Sequence, residues 1–216
     1  MIFLTPNDEY FIRMMLPIIK EEVHSYDAEE KKILLDILEN LIDKELHQLV
    51  VIGAGTLSYV EVATSLRINY VAVEPLINFY IQKELLFVLK QQSNISIIPE
   101  NFGEFKENKL REGKRIFMFV FNVFAYIPNP IDKINQYLKK GDIIFISTWN
   151  LHSDKANDIR TKYFDMICKS MDVENLNEFK KGKTYDLNEF SFEKLNSYVS
   201  HKRLKGDITD ILIIQS

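Results

Sequence analysis

The feature that most constrains the fold is the alternation of short apolar runs with helical patterns between residues 49 and 149. The runs, among them "LVVI", "YVAV", "ISII" and "IIFIS", contain almost no polar residues. Strands with one solvated face alternate apolar and polar residues, whereas strands covered on both faces are apolar throughout. The pattern therefore predicts an α/β fold with a doubly wound, mostly parallel sheet.

The two ends of the chain extend this core. Two helical patterns come first, over residues 7–23 and from Ser25 or Asp27 to residue 46, and predict an N-terminal helical cap over residues 1–47. The final stretch, "VSHKRLKGDITDILIIQS", predicts a C-terminal antiparallel hairpin around Gly206 and Asp207. A chain of 216 residues, 46% of them hydrophobic, suits one compact unit in which the cap packs on a Rossmann-like domain over residues 48–216.

A glycine turn follows the first predicted strand, in "QLVVIGAGTLSYVE". Gly53 and Gly55 let a ligand approach bare backbone, and the helix that follows presents its N-terminal N–H groups. Glu74 ends the second strand about twenty residues on, the spacing at which a carboxylate binds ribose hydroxyls. The alternative for Glu74 is a solvated strand-end acid. Together the turn and the acid predict a cofactor that contains adenosine, and the turn itself does not continue into the Gly-Lys-Ser or Gly-Lys-Thr that would indicate triphosphate hydrolysis.

The later segments carry a family resemblance. In order and spacing, "VVIGAGTLSYVEVA", "YVAVEP", "IIPENFGEF", "FNVFAYIPNP" and "YLKKGDIIFIS" resemble the successive motifs of a class I S-adenosylmethionine-dependent methyltransferase. The resemblance covers residues 48–149 and implies S-adenosylmethionine as the cofactor. It implies a role in cofactor binding for Gly53, Ala54, Gly55, Glu74, Pro75, Leu76, Glu100, Asn101 and Asn122.

Each of these positions has an implied role. The backbone of the glycine turn would lie beside the methionine portion and the ribose, and Glu74 would bind the ribose hydroxyls. Pro75 and Leu76 would pack on the adenine. Glu100 and the backbone N–H of the next residue would meet the adenine amino group and ring nitrogen, with an ordinary loop acid as the alternative for Glu100. The carbonyl of Asn122 would receive the cofactor's ammonium.

Three positions depart from the family pattern. Ser58 replaces a common glycine, and Asp142 replaces the second glycine of the turn before the fifth strand. The acid that usually precedes the glycine turn is absent, because residues 50–52 are Val, Val and Ile. Another group, such as Glu9 or Tyr10, would have to take its place beside the ammonium.

Residues for the acceptor are predicted less directly. Methyl transfer from a sulfonium mainly requires that the acceptor be positioned and water excluded. The predicted catalytic residues are Tyr126 and His152, against the alternatives of core packing and a surface histidine. Tyr10, Arg13 and Trp149 are predicted to contact the acceptor. "NVFAYIPNP" lacks the Asp/Asn-Pro-Pro-Tyr motif of enzymes that methylate base amines, which favours a small-molecule acceptor.

Composition excludes some classes of partner. A formal charge of −4 offers no basic field for nucleic acid, and the scattered histidines with a single cysteine predict no metal site. The absence of a signal peptide or membrane span predicts a cytoplasmic protein. Three alternatives stay open: an NAD(P)-dependent oxidoreductase, a transferase of the cofactor's aminocarboxypropyl group, and a non-catalytic module that binds S-adenosylmethionine.

Overall fold

The computed structural model describes residues 24–41, 46–171 and 184–216, and the predicted helix over residues 7–23 lies outside them. The helices are α1 (His24–Leu41), α2 (Val60–Ser65), α3 (Ile77–Tyr80), α4 (Lys83–Lys90), α5 (Pro130–Asn135) and α6 (Asp154–Met171). The strands are β1 (Leu46–Ile52), β2 (Asn69–Val73), β3 (Ile95–Ile98), β4 (Lys114–Phe119), β5 (Ile143–Trp149), β6 (Ser200–Lys205) and β7 (Thr209–Gln215).

The strands form one sheet in the order β3-β2-β1-β4-β5-β7-β6. The first five are mutually parallel, while β7 runs antiparallel to both β5 and β6. This confirms the predicted doubly wound sheet and its C-terminal hairpin. The chain moves outward from β1 to β3 and then returns to place β4 on the other side of β1. That reversal puts the topological switch point between the carboxyl ends of β1 and β4, where open α/β sheets bind ligands.

Both faces of the sheet are buried, as the apolar strands predict. Along β1, Leu49 and Val51 face one core cluster and Val50 and Ile52 face another. Helix α1 contributes Leu34 and Leu38 to the first cluster, and it places Tyr26 in a third, aromatic cluster with Trp149. Whether residues 1–47 form a distinct cap stays a prediction, but α1 itself is packed on the sheet.

Helix α1 is also held by a carboxylate. Glu29 accepts hydrogen bonds from the backbone N–H groups of Ile208 and Thr209, with shortest distances of 3.0 and 2.8 Å, and from the Thr209 hydroxyl at 2.8 Å. A Cβ atom at Gly206 would lie 2.0 Å from Glu29 Oε1. The loop between β6 and β7 is therefore shaped around this side chain, which fixes α1 against the hairpin.

The structure corrects the predicted element boundaries in two places. The sequence predicts one helix from Leu76 to about Gln91, but the structure has two helices there, because Ile81 and Gln82 have extended ψ angles of 135° and 142°. Ile81 is 7% exposed and packs in the core, and the helix breaks where this side chain is buried. The second predicted helix does not include residue 46, because β1 already begins at Leu46.

Asp142, a departure from the family pattern, has a clear structural role. It pairs with Arg115, at 2.6 Å between Asp142 Oδ2 and Arg115 Nη2, and both side chains are 2% exposed. It also accepts the backbone N–H of Lys139 at 2.8 Å, while the guanidinium donates to the Tyr137 carbonyl at 2.5 Å. A carboxylate replaces glycine here because the neighbouring strand buries an arginine.

Candidate functional site

The candidate site is the switch-point crevice, which we define as the space between residues 53–59 after β1 and residues 120–126 after β4. On both sides of the crevice, non-glycine residues adopt the left-handed backbone conformation: Leu57 (φ 65°), Tyr59 (φ 68°), Phe121 (φ 48°) and Asn122 (φ 60°). Such conformations cost roughly 1 to 3 kcal/mol each and cluster at functional sites. The chain therefore stores backbone strain where the topology predicts a ligand.

The loop after β1 is fixed by hydrogen bonds to β2. The N–H of Gly53 donates to the Val73 carbonyl at 2.9 Å, and the Tyr70 hydroxyl donates to the Ser58 carbonyl at 2.8 Å. Ala54 is buried with its methyl group in the core. These hydrogen bonds and the buried methyl group fix the shape of the loop.

The two glycines of this loop serve different purposes. A Cβ atom added at Gly53 would lie 2.2 Å from Val123 Cγ2, so this glycine lets the loop after β1 pack against the residues after β4. A Cβ atom at Gly55 would meet no atom within 4 Å. The Gly55 backbone therefore faces open space, where contact with a ligand stays a prediction, whereas close packing against Val123 explains Gly53.

Glu74 lies beside Gly55 and is 6% exposed. Its Oε2 atom accepts the Gly55 N–H and its Oε1 atom accepts the Leu76 N–H, each at 3.0 Å. Burial raises the pKa of this carboxyl, while the two N–H donors act in the opposite direction. Each carboxylate oxygen has a second lone pair, so Glu74 can hold the loop and still accept from two hydroxyls.

The predicted adenine-side residues lie after β2 and β3. Pro75 and Leu76 are half-buried beside Glu74. Glu100 forms an ion pair with Lys109, and the Asn101 amide donates to Glu104 Oε2 at 2.8 Å. Their contacts with a cofactor stay predictions.

Asn122 follows β4 and is 2% exposed. Its backbone N–H donates to the Ser147 carbonyl at 3.0 Å, and its own carbonyl accepts from Ala125 at 3.1 Å. The carbonyl that the resemblance assigns to the cofactor's ammonium is thus at the crevice, where it caps the short turn over Val123–Tyr126.

Of the predicted acceptor residues, two lie near the crevice and two lie outside the described residues. Tyr126 is 39% exposed, and its hydroxyl forms a hydrogen bond with the Tyr163 side chain. Burial raises the pKa of this hydroxyl. Trp149 is 1% exposed, with its ring centroid 4.6 Å from that of Tyr26 and 6.1 Å from that of Tyr163. The structure gives Trp149 a packing role, and contact with an acceptor stays a prediction. The two predicted acceptor residues that lie outside the described residues are Tyr10 and Arg13.

His152 is exposed in the loop after β5. Its backbone N–H donates to Asn150 Oδ1 at 3.1 Å. A catalytic role for its side chain stays a prediction.

The structure adds a residue that the sequence analysis missed. Glu30 of α1 is 1% exposed, and its Oε1 atom accepts the Phe121 N–H at 3.0 Å. The Tyr59 and Ser147 hydroxyls also hydrogen-bond to it. Burial raises the pKa of Glu30 to about 8, and Asp27 adds to this rise. A signal was present, because Glu30 stands between Tyr26 and Leu34 at four-residue spacing on the buried face of α1.

Two further observations concern only the described ranges, 24–41, 46–171 and 184–216. No helix there is both long and apolar enough to cross a membrane. Nor do three or more His, Cys, Asp or Glu side chains come together there as a set that could hold a metal ion. The absence of a metal stays a prediction.

Several solved structures share this fold. The plantazolicin methyltransferase BpumL, solved with S-adenosylhomocysteine and a monoazolic desmethylPZN analogue, is 12% identical, covers 97% of this chain and 93% of its own, and has a TM-score of 0.59. Phosphoethanolamine N-methyltransferase 2 of Haemonchus contortus, solved with S-adenosylmethionine, is 10% identical, covers 98% of this chain and 59% of its own, and has a TM-score of 0.55.

A Methanococcus maripaludis protein assigned as an S-adenosylmethionine-dependent methyltransferase is 15% identical over 100% of this chain and 96% of its own, with a TM-score of 0.52. No protein-family profile and no curated protein sequence matches the chain. At such low identities the likeness concerns the fold, which is the one that the sequence motifs implied. The chain has the Rossmann-like fold of the S-adenosylmethionine-dependent methyltransferases.

Proposed function

We propose that the protein is an S-adenosylmethionine-dependent methyltransferase that acts on a small-molecule acceptor. One observation carries the proposal: Gly55 faces open space while its N–H is held by the buried carboxylate of Glu74, at the switch point of a methyltransferase fold. A ligand with a ribose fits this arrangement, because its hydroxyls can donate to Glu74 as it lies against the Gly55 backbone.

The chain's own residues would bind and orient the cofactor. Glu74 would hold the ribose, Pro75 and Leu76 would pack on the adenine, and the strained turn at Asn122 would lie beside the methionine portion. When bound, the cofactor supplies a methyl group on a sulfonium that is already activated for transfer. The protein's task is then to align the acceptor and exclude water.

Aromatic residues support a small, partly apolar acceptor. The rings of Phe121 and Tyr163 have centroids 5.6 Å apart, and Tyr126 hydrogen-bonds to Tyr163 with part of its ring exposed. These side chains form one wall next to Asn122. The Tyr126 hydroxyl belongs to this wall and could orient an acceptor, and because burial raises its pKa above the ordinary value for tyrosine, it would act as a hydrogen-bond donor and not as a base.

Label transfer tests the proposal and separates it from an aminocarboxypropyl transferase and from a non-catalytic module. Protein is incubated with S-adenosylmethionine and the low-mass fraction of a cell extract, with the label either in the methyl group or in the carboxyl carbon of the cofactor. We expect only the methyl label to appear in a new small molecule. Transfer of the carboxyl label alone would identify an aminocarboxypropyl transferase. Binding without any transfer would favour a non-catalytic module.

A further inference from the structure

A buried carboxylate beside the switch-point crevice has no role in the proposed function. Glu30 reaches from α1 to the Phe121 N–H at 3.0 Å and to the Tyr59 hydroxyl. Tyr59 belongs to the loop after β1, and Phe121 directly precedes Asn122 after β4. Glu30 therefore bridges the two loops that form the crevice.

No cationic side chain of the described residues neutralises Glu30. The groups that face it are Tyr26 and Asp27 on its own helix, Tyr59 from the loop after β1, Ser147 from β5 and the Phe121 N–H. All of these are neutral or acidic. A buried carboxylate without a counter-charge is costly and is held mainly in its protonated form, so a positively charged ligand group beside it would stabilise the ionised form.

The same crevice lacks its expected acid. Residues Val50, Val51 and Ile52 of β1 are at most 3% exposed, and none can offer a carboxylate. Glu74, on the β2 side, accepts the Gly55 N–H and is assigned to the ribose in the proposed function. Glu30 is thus the buried carboxylate that contacts the residues after β4. It accepts the Phe121 N–H, and the carbonyl expected to receive the ammonium belongs to the next residue, Asn122.

We propose that Glu30 binds the ammonium of the cofactor's amino-acid portion, a role that α1 supplies in place of the missing strand-end acid. This inference rests on the proposed function, since it requires S-adenosylmethionine in the crevice. Burial favours the protonated form of Glu30, and the positive charge of the ligand's ammonium would take the place of that proton. Binding near neutral pH should therefore release a proton to the buffer.

A purely structural role is the competing explanation, because Glu30 also ties α1 to the loop after β4. Glu29 offers a matched control, since it ties the same helix to the loop before β7 without facing the crevice. If only the docking of α1 mattered, Glu29→Gln and Glu30→Gln would affect ligand affinity alike.

The experiment compares two ligands by isothermal titration calorimetry. S-Adenosylhomocysteine carries the ammonium, and 5′-methylthioadenosine lacks the whole amino-acid portion. We expect Glu30→Gln to weaken S-adenosylhomocysteine about 10- to 100-fold, the scale for hydrogen bonds to a charged group, and to leave methylthioadenosine unchanged. Glu29→Gln should leave both affinities unchanged.

Proton release is measured on the parent protein, so it does not depend on a variant folding. Titrations of S-adenosylhomocysteine at pH 7.5 in Tris and in phosphate should differ in observed enthalpy, because the two buffers differ in ionisation enthalpy. Equal weakening of both ligands by Glu30→Gln, or equal enthalpies in the two buffers, would overturn the inference. If neither ligand binds the parent, the proposed function itself fails, and this inference fails with it.

Discussion

Exchanging the two glycines of the loop after β1 for alanine should separate packing from ligand binding. In Gly53→Ala, the new methyl group would lie 2.2 Å from Val123 Cγ2, whereas carbon atoms pack at about 3.5 to 4.0 Å. The side chain of Val123 is branched and cannot rotate away freely. Overpacking of this kind costs about 1 to 3 kcal/mol, and alanine in the left-handed region adds about 1 to 2 kcal/mol. We therefore expect the free energy of unfolding to fall by about 2 to 5 kcal/mol.

In Gly55→Ala, the new methyl group meets no atom within 4 Å, so it causes no overpacking. The cost that remains is that of placing alanine in the left-handed region, because φ is +52°. The loss of stability should be about 1 to 2 kcal/mol. The methyl group would project into the space assigned to the cofactor, so affinity for S-adenosylhomocysteine should fall at least about tenfold, or by about 1.4 kcal/mol. Gly53→Ala should keep the parent affinity in its folded fraction.

Urea unfolding and calorimetry of the same preparations measure both effects. A double variant, Gly53→Ala with Val123→Ala, is the control for packing, and it should regain part of the stability that Gly53→Ala loses. The reasoning is refuted if Gly55→Ala binds S-adenosylhomocysteine as tightly as the parent. It is equally refuted if Gly53→Ala is as stable as the parent, since the collision with Val123 would then have no consequence.

Three further predictions concern buried carboxylates. Glu74→Ala should weaken S-adenosylmethionine binding by about 1.5 to 3 kcal/mol in calorimetry, and unchanged affinity in a folded variant would remove its ribose role. Because the folded pKa of Glu30 is raised to about 8 from an ordinary 4.5, its contribution to stability is lost as pH rises from 4.5 toward 8. Glu30→Gln should remove that slope, up to about 1.4 kcal/mol per pH unit, from urea unfolding measured across this range, and an unchanged slope would contradict the assignment. Asp142→Ala should cost about 3 to 5 kcal/mol in urea unfolding by leaving Arg115 buried and unpaired, whereas loss of less than about 1 kcal/mol would show that the pair is not needed.

The sheet was predictable because its signal is local. Each strand is an apolar run that must be covered on both faces, and the Gly206 and Asp207 turn marks the hairpin within a few residues. The break at Ile81 was not predictable, since "LINFYIQKELLFVLK" keeps helical spacing across it. The break depends on where Ile81 must lie to reach the core, which is a tertiary requirement.

The site was only partly predictable for the same reason. Sequence spacing identified Gly55 and Glu74 together, but it could not show that Gly53 faces Val123, some seventy residues away in the chain. Asp142 looked like a departure from a pattern because its partner, Arg115, is on another strand. Glu30 was missed because an acid within a helical pattern is usually solvated, and only the packing of α1 over the switch point buries it.

The central claim is that the switch-point crevice binds S-adenosylmethionine. The most direct test is calorimetric titration of the parent protein with S-adenosylhomocysteine and, separately, with NAD, using Glu74→Ala as the control for site specificity. We predict saturable binding of S-adenosylhomocysteine that weakens in Glu74→Ala, and no comparable binding of NAD. Preferential binding of NAD, or binding of neither ligand by the folded protein, would contradict the account.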